Sequence, residues 1–268
     1  MKIYHSYWEY GWNSFDERLY NMHRLSVLCA LKNYGNITLI TTEKGKKILG
    51  DLPYTNIELY DDNIPTDFST VWSVNKLYAY KQIAKKNEPF FHIDYDVFLF
   101  KKLPEWFEKS KIVFQHIESN LNDNEFYNID YFFKKCKNTY LAKYKNNYAY
   151  NLAIFGGNDF KSIEYYVDKS FELLFDQNNI ENYWLNHNLP IMHCSKTVIL
   201  EQWYLTYCLE SLNIKPTPLL PDNNKLDEDA VKYGFCHVWG AKHNQEIHDK
   251  IKNKIKILEN ELFINNIN

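Results

Sequence analysis

The stretch EPFFHIDYDVFLFKKLP, residues 88–104, sets two acids between two apolar runs. Residues 90–93 are typical of a buried strand, and residues 97–100 form the second apolar run. Asp94 and Asp96 lie between them, where an ionised carboxylate is costly unless it has a partner. Because side chains two apart on an extended segment point the same way, the sequence predicts that the two carboxylates converge on one point.

Upstream of this stretch, strand-like and helix-like patterns alternate. Apolar periodicity and turn residues predict strands at residues 2–7, 36–42, 56–60 and 89–93, and helices at residues 13–35, 41–50 and 69–87. This alternation predicts an α/β fold with a doubly wound, mostly parallel sheet and helices on both faces.

The rest of the chain is less regular. Its patterns predict strands at residues 111–117, 148–157 and 233–240, and helices at residues 160–177, 199–212 and 244–266. The last helix carries one apolar stripe, formed by Ile247, Ile251, Ile255, Leu258 and Leu262. Such a stripe favours a terminal helix docked on the core over a helix that lies on a membrane surface.

The composition excludes some classes of protein. Of the 268 residues, 45% are apolar, so the chain can bury a core and is not disordered. A net charge of −3 offers no electrostatic footprint for duplex nucleic acid, and no nucleic-acid partner is expected. The 22 Tyr, 17 Phe and 7 Trp suit core packing first, and flat or hydroxylated ligands second.

The cysteines and the N-terminus indicate a compartment. Five cysteines without a CxxC pair argue against a disulfide scaffold and a structural zinc site, and favour reduced thiols. The N-terminus lacks the apolar segment of a signal peptide, and no apolar run is long enough to span a membrane. The expectation is a cytoplasmic protein, with peripheral contact to a membrane left open.

The position of the acid pair suggests a metal site. In a doubly wound sheet, ligands bind at the carboxyl ends of the strands, and the pair follows such an end. Two carboxylates on one face suit Mg²⁺ or Mn²⁺, which would hold a diphosphate and neutralise the charge of a phosphate leaving group. The alternative is two acids at a strand end that face water.

Three later segments follow the acid pair in a distinctive order. They are NLAIFGGND with Gly156 and Gly157, LEQWYLTY with Glu201 and Gln202, and CHVWGAKHN with His237, Gly240 and Lys242. Together with Asp-x-Asp after an apolar strand, this order resembles the DXD-containing nucleotide-sugar glycosyltransferases of the GT-A fold, with glycogenin-like landmarks. The resemblance covers most of the chain as an order of short motifs.

The sequence departs from the glycogenin-like pattern at two landmarks. Glu201 stands where that family has Asp in an Asp-Gln helix start. In the segment similar to His-x-x-Gly-x-x-Lys, Lys242 arrives one residue early, His243 takes the expected lysine position, and the following Pro-Trp is absent. These differences weaken the assignment of Lys242 as a phosphate ligand more than the assignment of His237 as a metal ligand.

The resemblance implies a single GT-A catalytic domain over residues 1–268. Its parts would be a Rossmann-like nucleotide-binding half (1–103), an acceptor and sugar half (104–243) and a C-terminal helix (244–268). The implied functional residues are the metal ligands Asp94, Asp96 and His237, the donor-binding residues Tyr4, Ser6, Lys76, Asp94, Gly156, Gly157 and Lys242, and the catalytic residues Glu201 and Gln202. The cofactor would be Mn²⁺ or Mg²⁺, the donor a nucleotide-sugar with UDP expected, and the acceptor a saccharide or other hydroxyl compound.

Several readings stay open at this point. Asp94 would bind the metal or reach the ribose. Glu201 would be the general base of an inverting enzyme, and in a retaining enzyme it would orient the donor sugar or stabilise a cationic sugar. A haloacid dehalogenase-like phosphotransferase would also use an Asp-x-Asp pair after a strand. A non-catalytic carbohydrate-binding protein would need the aromatic residues but not the acids. A nucleotidyltransferase is disfavoured because KIYHSYWEYGW contains a single Gly and no phosphate-binding loop.

Overall fold

The structure is a computed structural model that describes residues 1–10, 15–121, 126–136, 141, 144, 146–192, 194–221 and 223–264. The strands in these ranges are β1 (Lys2–Tyr7), β2 (Thr38–Thr41), β3 (Asn56–Leu59), β4 (Phe90–Ile93), β5 (Val97–Leu99), β6 (Ile112–Ser119), β7 (Tyr148–Gly157), β8 (Thr217–Leu220) and β9 (Phe235–His237). The α-helices are α1 (Glu17–Tyr34), α2 (Glu43–Leu49), α3 (Val74–Ala84), α4 (Glu105–Glu108), α5 (Ile129–Lys135), α6 (Phe160–Leu174), α7 (Gln177–Asn179), α8 (Ser195–Val198), α9 (Tyr204–Ser211), α10 (Leu226–Tyr233) and α11 (Gln245–Ile264). The backbone has π-helical geometry at Ile180–Trp184 and Ile199–Trp203, and 3₁₀ turns at Thr66–Thr70, Asn223–Lys225 and Trp239–Ala241.

The central sheet has seven strands in the order β3-β2-β1-β4-β7-β6-β8. Strands β3, β2, β1 and β4 are parallel to one another, and β6 is parallel to β8. Strand β7 is antiparallel to both of its neighbours, β4 and β6. The predicted α/β fold with a mostly parallel, doubly wound sheet is confirmed.

Helices cover both faces of this sheet because side chains alternate along its strands. Phe90 of β4 packs in a cluster with Leu77 of α3 and Tyr166 of α6. The next residue, Phe91, packs on the opposite face in a cluster with Val27 of α1. Both phenylalanines are fully buried, which explains why three of the four residues of this strand, all but His92, are apolar instead of alternating with polar residues.

Helix α11 docks on α1. Ile251, Ile255 and Leu258 are buried in a cluster that includes Leu25 and Leu28 of α1. The prediction of a terminal helix docked on the core is therefore confirmed. Within the described residues, no helix is long and apolar enough to cross a membrane.

The acid pair lies in a tight turn between β4 and β5. The amide of Val97 donates to the carbonyl oxygen of Asp94 at 3.0 Å, which closes the turn over residues 94–97. The extended conformation that the sequence suggested for Asp94 and Asp96 is therefore wrong. Strand β5 then pairs with β9 in a separate two-stranded sheet, a long-range contact that no local pattern indicated.

Candidate active site

A cavity of about 330 Å³ opens at the carboxyl ends of β1 and β4. This is the end at which doubly wound sheets bind ligands. Eight of the eleven residues predicted as functional line the cavity: Ser6, Lys76, Asp94, Asp96, Glu201, Gln202, His237 and Lys242. They come from segments far apart in sequence, so the tertiary fold assembles the site.

Asp96 and His237 are brought together by the pairing of β5 with β9. Val97 lies opposite His237 in this antiparallel pair, and the amide of Val238 donates to the carbonyl oxygen of Asp96 at 3.1 Å. As a result, Nε2 of His237 lies 3.6 Å from Oδ1 of Asp96. The backbone thus holds a carboxylate and an imidazole side by side.

Asp96 is only 1% exposed, and its charge is compensated by Lys242, whose Nζ lies 2.6 Å from Oδ2. Burial alone would raise the pKa of Asp96, but Lys242 and His237 outweigh this effect and hold the pKa below its ordinary value. Burial lowers the pKa of His237, so its ring is neutral near pH 7, the form that can bind a metal.

Lys76 bridges the other two acids of the cavity. Its Nζ lies 2.6 Å from Oδ1 of Asp94 and 2.8 Å from Oε1 of Glu201. Burial would lower the pKa of Lys76, but the two carboxylates outweigh it and raise the pKa, so the side chain is charged. In this structure each acid of the pair therefore has a lysine as its partner: Lys76 for Asp94, and Lys242 for Asp96.

Glu201 is 2% exposed and lies in the π-helical turn Ile199–Trp203. Such turns within a helix frequently occur at functional sites. The helical segment begins upstream at Ser195, so the predicted position of Glu201 near a helix N-terminus is wrong, and the helix dipole is not its stabiliser. Burial raises the pKa of Glu201 to about 7 against the opposing charge of Lys76, and Asp94 adds to the rise.

Gln202 belongs to a network of side-chain hydrogen bonds that the sequence did not reveal. The hydroxyl of Tyr127 lies 2.6 Å from Oε1 of Gln202 and 3.1 Å from Oε2 of Glu118, and shares its proton between them. The amide Nδ2 of Asn151 donates to Oε1 of Glu118 at 2.6 Å. Glu118 and Asn151 also line the cavity, so this hydrogen-bond network extends the polar part of the cavity wall beyond Glu201 and Gln202.

The two residues predicted on β1 differ in their positions. Ser6 lines the cavity, and its hydroxyl lies 2.9 Å from Nε2 of His92. Tyr4 is 4% exposed and packs edge-on against Phe90 in the core. Tyr4 is absent from the cavity wall, so the structure does not support it as a nucleotide contact.

Gly156 and Gly157 lie at the opposite end of the sheet from the cavity. Because β7 is antiparallel to β4, its last residues pair with Phe91 and Phe90 at the start of β4. A Cβ on Gly156 would lie 2.1 Å from the carbonyl oxygen of Phe90, and φ is +155°. The prediction that these glycines approach a sugar is therefore wrong: they permit close packing of strands. The residues of β7 that line the cavity are Asn151 and Ala153.

The metal set expected from the resemblance is partly assembled. Asp96 and His237 are adjacent, whereas the carboxylate of Asp94 contacts Lys76. In the parts of the chain that the structure describes, no three His, Cys, Asp or Glu side chains form a group that could hold a metal ion. A carboxylate oxygen beside a neutral imidazole nitrogen is nevertheless a donor pair that a divalent ion could share with phosphate oxygens.

Residues 1–266 match the sequence profile described as "Family of unknown function (DUF6734)". The chain belongs to this family. No curated protein matches it.

Two solved structures resemble this member of the family over most of their length. One is described as a glycosyltransferase involved in the glycosylation of the major capsid of PBCV-1, with a TM-score of 0.42, 11% identity, and coverage of 96% of this chain and 98% of the other. The second is mouse xyloside xylosyltransferase 1 in its apo form, with a TM-score of 0.35, 11% identity, and coverage of 91% and 82%. Similarity at these values does not establish a function, which depends on the residues of the cavity.

Sequence reasoning missed Glu118 and Tyr127 as residues of this wall. Glu118 is the penultimate residue of strand β6, and no local motif marks it. Tyr127 is fully buried and reads as a core aromatic, although its hydroxyl contacts both Gln202 and Glu118. One signal was available: a buried tyrosine needs a polar partner for its hydroxyl, and the nearest strand end carries an acid.

Proposed function

We propose that this protein is a glycosyltransferase that moves a sugar from a nucleoside-diphosphate donor, with uridine as the base, to a hydroxyl group of a saccharide or other acceptor. The observation that carries the proposal is the convergence of Asp94, Asp96, Glu201 and His237 with two lysines on one cavity at the carboxyl ends of β1 and β4. A structural role alone does not require so many charged groups at a binding end of the sheet.

The donor diphosphate is assigned to the part of the cavity around Asp96. Lys242 offers a positive charge there and can exchange its carboxylate partner for a phosphate. Asp96 and His237 would hold Mn²⁺ or Mg²⁺, with Asp94 as a third ligand only if it releases Lys76. When bound, the ion would neutralise charge on the departing diphosphate.

Transfer requires one bond to form and one to break. The acceptor oxygen forms a bond to the anomeric carbon, the bond from that carbon to the diphosphate oxygen breaks, and the nucleoside diphosphate leaves with the electron pair. In an inverting reaction Glu201 takes the acceptor proton, which a pKa of about 7 suits near neutral pH. In a retaining reaction the diphosphate takes the proton, and ionised Glu201 stabilises positive charge on the sugar.

The test of donor binding is calorimetric titration of UDP in the presence of Mn²⁺, repeated with EDTA. We expect wild-type protein to bind UDP in the presence of Mn²⁺ and to bind it at least about tenfold more weakly in the presence of EDTA. Asp96→Asn should lose the gain in UDP affinity that Mn²⁺ provides. Asp168→Asn is the matched control, since the Asp168 side chain is 61% exposed on α6. Equal UDP affinity in Asp96→Asn and wild type would contradict the assigned site.

Turnover separates the transferase from its alternatives. Wild-type protein should hydrolyse or transfer the sugar of a UDP-sugar, and Glu201→Gln should bind UDP normally but lose turnover. Release of phosphate from a phosphate ester without any UDP binding would replace the proposal with a phosphotransferase. UDP binding with no turnover of any donor would favour a non-catalytic binding protein.

A further inference from the structure

A second cavity, of about 720 Å³, adjoins the first. Glu118, Asn151, His237 and Trp239 line both cavities, so the two share a wall. The second cavity lies between the end of β6 and helix α10. Its volume is in the range of roughly 300–1,000 Å³ that is typical of sites for drug-sized ligands, so it has room for more than one sugar ring.

The side of this cavity next to the reaction centre is polar. Glu118 and Asn151 lie there, and they connect through Tyr127 to Gln202, the neighbour of Glu201. Carboxylate and amide groups are partners for the hydroxyl groups of a sugar. A hydroxyl held by this wall would lie beside the catalytic residues assigned above.

The rim shared by the two cavities is aromatic. Trp239 is 56% exposed, and its ring is supported edge-on by Phe126 at 5.3 Å. A large, exposed indole that a second ring holds in place provides a flat face for a sugar ring. Its position on the walls of both cavities puts that face where an acceptor would cross from one to the other.

The side of the second cavity formed by α10 is largely apolar, although Asp227 also lines it. Leu226 and Val231 of α10 and Phe235 of β9 line it. Val231 is 77% exposed, and none of the α10 residues is buried. Exposed apolar side chains beside a cavity give an apolar group of a ligand a surface to cover.

The charges of the second cavity exclude an anionic ligand. Its described lining contains Glu118 and Asp227 but no lysine or arginine. Burial lowers the pKa of His116 to about 4, so its ring is neutral at neutral pH. A phosphate, sulfate or carboxylate on the ligand would find no positive charge there.

We infer that the second cavity binds the acceptor, and that the acceptor is an uncharged glycoside with an apolar aglycone. Its sugar lies against Glu118, Asn151 and Trp239, and its alkyl or aryl group lies against α10. This inference rests on the proposed function, because it names the acceptor of the same reaction. The acceptor is inferred to be amphipathic because the wall shared with the first cavity carries polar groups, whereas α10 and Phe235 contribute apolar side chains to the second cavity.

The test uses methyl and octyl β-glycosides of glucose, galactose and mannose, below the micellar concentration of the octyl compounds. Their binding is measured by calorimetry in the presence of UDP and Mn²⁺, and their KM values are measured with a UDP-sugar donor. For at least one sugar, the octyl glycoside should bind at least about tenfold more tightly than the methyl glycoside, which corresponds to burial of about two methylene groups. Val231→Ser should reduce this ratio, and Trp239→Ala should weaken both glycosides.

The matched control is Ile257→Ser, at an apolar residue that is 49% exposed on α11, away from both cavities. Its octyl-to-methyl ratio should equal that of wild type. Equal binding of octyl and methyl glycosides, no binding of either while UDP binds, or an unchanged ratio in Val231→Ser would overturn the inference and leave the proposed function intact. Failure of wild-type protein to bind UDP would instead overturn the proposed function, and the inference with it.

Discussion

Replacement of Glu201 by glutamine should stabilise the protein at alkaline pH while it removes activity. The pKa of Glu201 is raised from its ordinary value of 4.5 to about 7, mainly by burial. A raised carboxyl pKa means that the folded state favours the protonated form, so this stability is present below pH 4.5 and lost as the pH rises to about 7. Glutamine mimics the protonated form and cannot lose the stability.

The size of the effect follows from the same values. At about 1.4 kcal/mol per pKa unit, the difference between 4.5 and about 7 corresponds to about 3 kcal/mol. Glu201→Gln should therefore raise the free energy of unfolding by up to about 3 kcal/mol at pH 8, and by less than about 1 kcal/mol at pH 5. For a chain of this size, the gain at pH 8 corresponds to a rise in Tm of up to roughly 6 °C.

The assay is urea denaturation of wild type and Glu201→Gln at pH 5 and pH 8, with UDP-sugar turnover measured on the same samples. Glu172→Gln is the control, because the Glu172 side chain is 63% exposed and its loss should change stability by less than about 0.5 kcal/mol at both pH values. A variant less stable than wild type at pH 8 would refute the reasoning. In that case the ion pair with Lys76 would outweigh the burial of the Glu201 carboxylate.

Three further outcomes are expected. The rate of sugar transfer should rise with pH to a plateau above about pH 7, because both assigned roles of Glu201 need its ionised form; a rate that is flat from pH 5 to 8 would contradict them. Lys76→Met should move the rise in the transfer rate to a pH about two units higher, since it removes the cation 2.8 Å from Glu201. An unchanged pH–rate profile would mean that the ion pair with Lys76 does not set the ionisation of Glu201. Gly156→Ala should lower the free energy of unfolding by about 3 kcal/mol or more in urea denaturation, because the added Cβ would overlap the carbonyl oxygen of Phe90. Gly240→Ala is the control and should be nearly neutral, because a Cβ at Gly240 would have nothing within 4 Å. Equal losses of stability in the two variants would refute the packing role of Gly156.

Local patterns were sufficient where burial and periodicity are properties of one segment. The strand over residues 90–93 was predicted because an apolar run buried on both faces needs no partner to be recognised, and all four of its residues are buried. The apolar stripe of α11 predicted a docked helix for the same reason, and Ile251, Ile255 and Leu258 are buried as expected.

The direction of β7 could not be predicted from its own residues. A strand buried on both faces has the same composition whether it runs parallel or antiparallel to its neighbours. The antiparallel direction moved Gly156 and Gly157 to the far end of the sheet and brought Asn151 to the cavity. The fold class was therefore correct while the position of these glycines was wrong.

The sequence by itself determined the α/β alternation, the strand that precedes Asp94 and Asp96, and the end of the sheet at which they lie, whereas the turn that carries them appeared only in the structure. Only the tertiary structure decided their partners, because Lys76 lies on a helix and Lys242 follows a short strand far along the chain. The same holds for the pKa of Glu201, which depends on burial by side chains from other segments. Side-chain charge is encoded residue by residue, but its cost and its compensation depend on distances that exist only after the chain has folded.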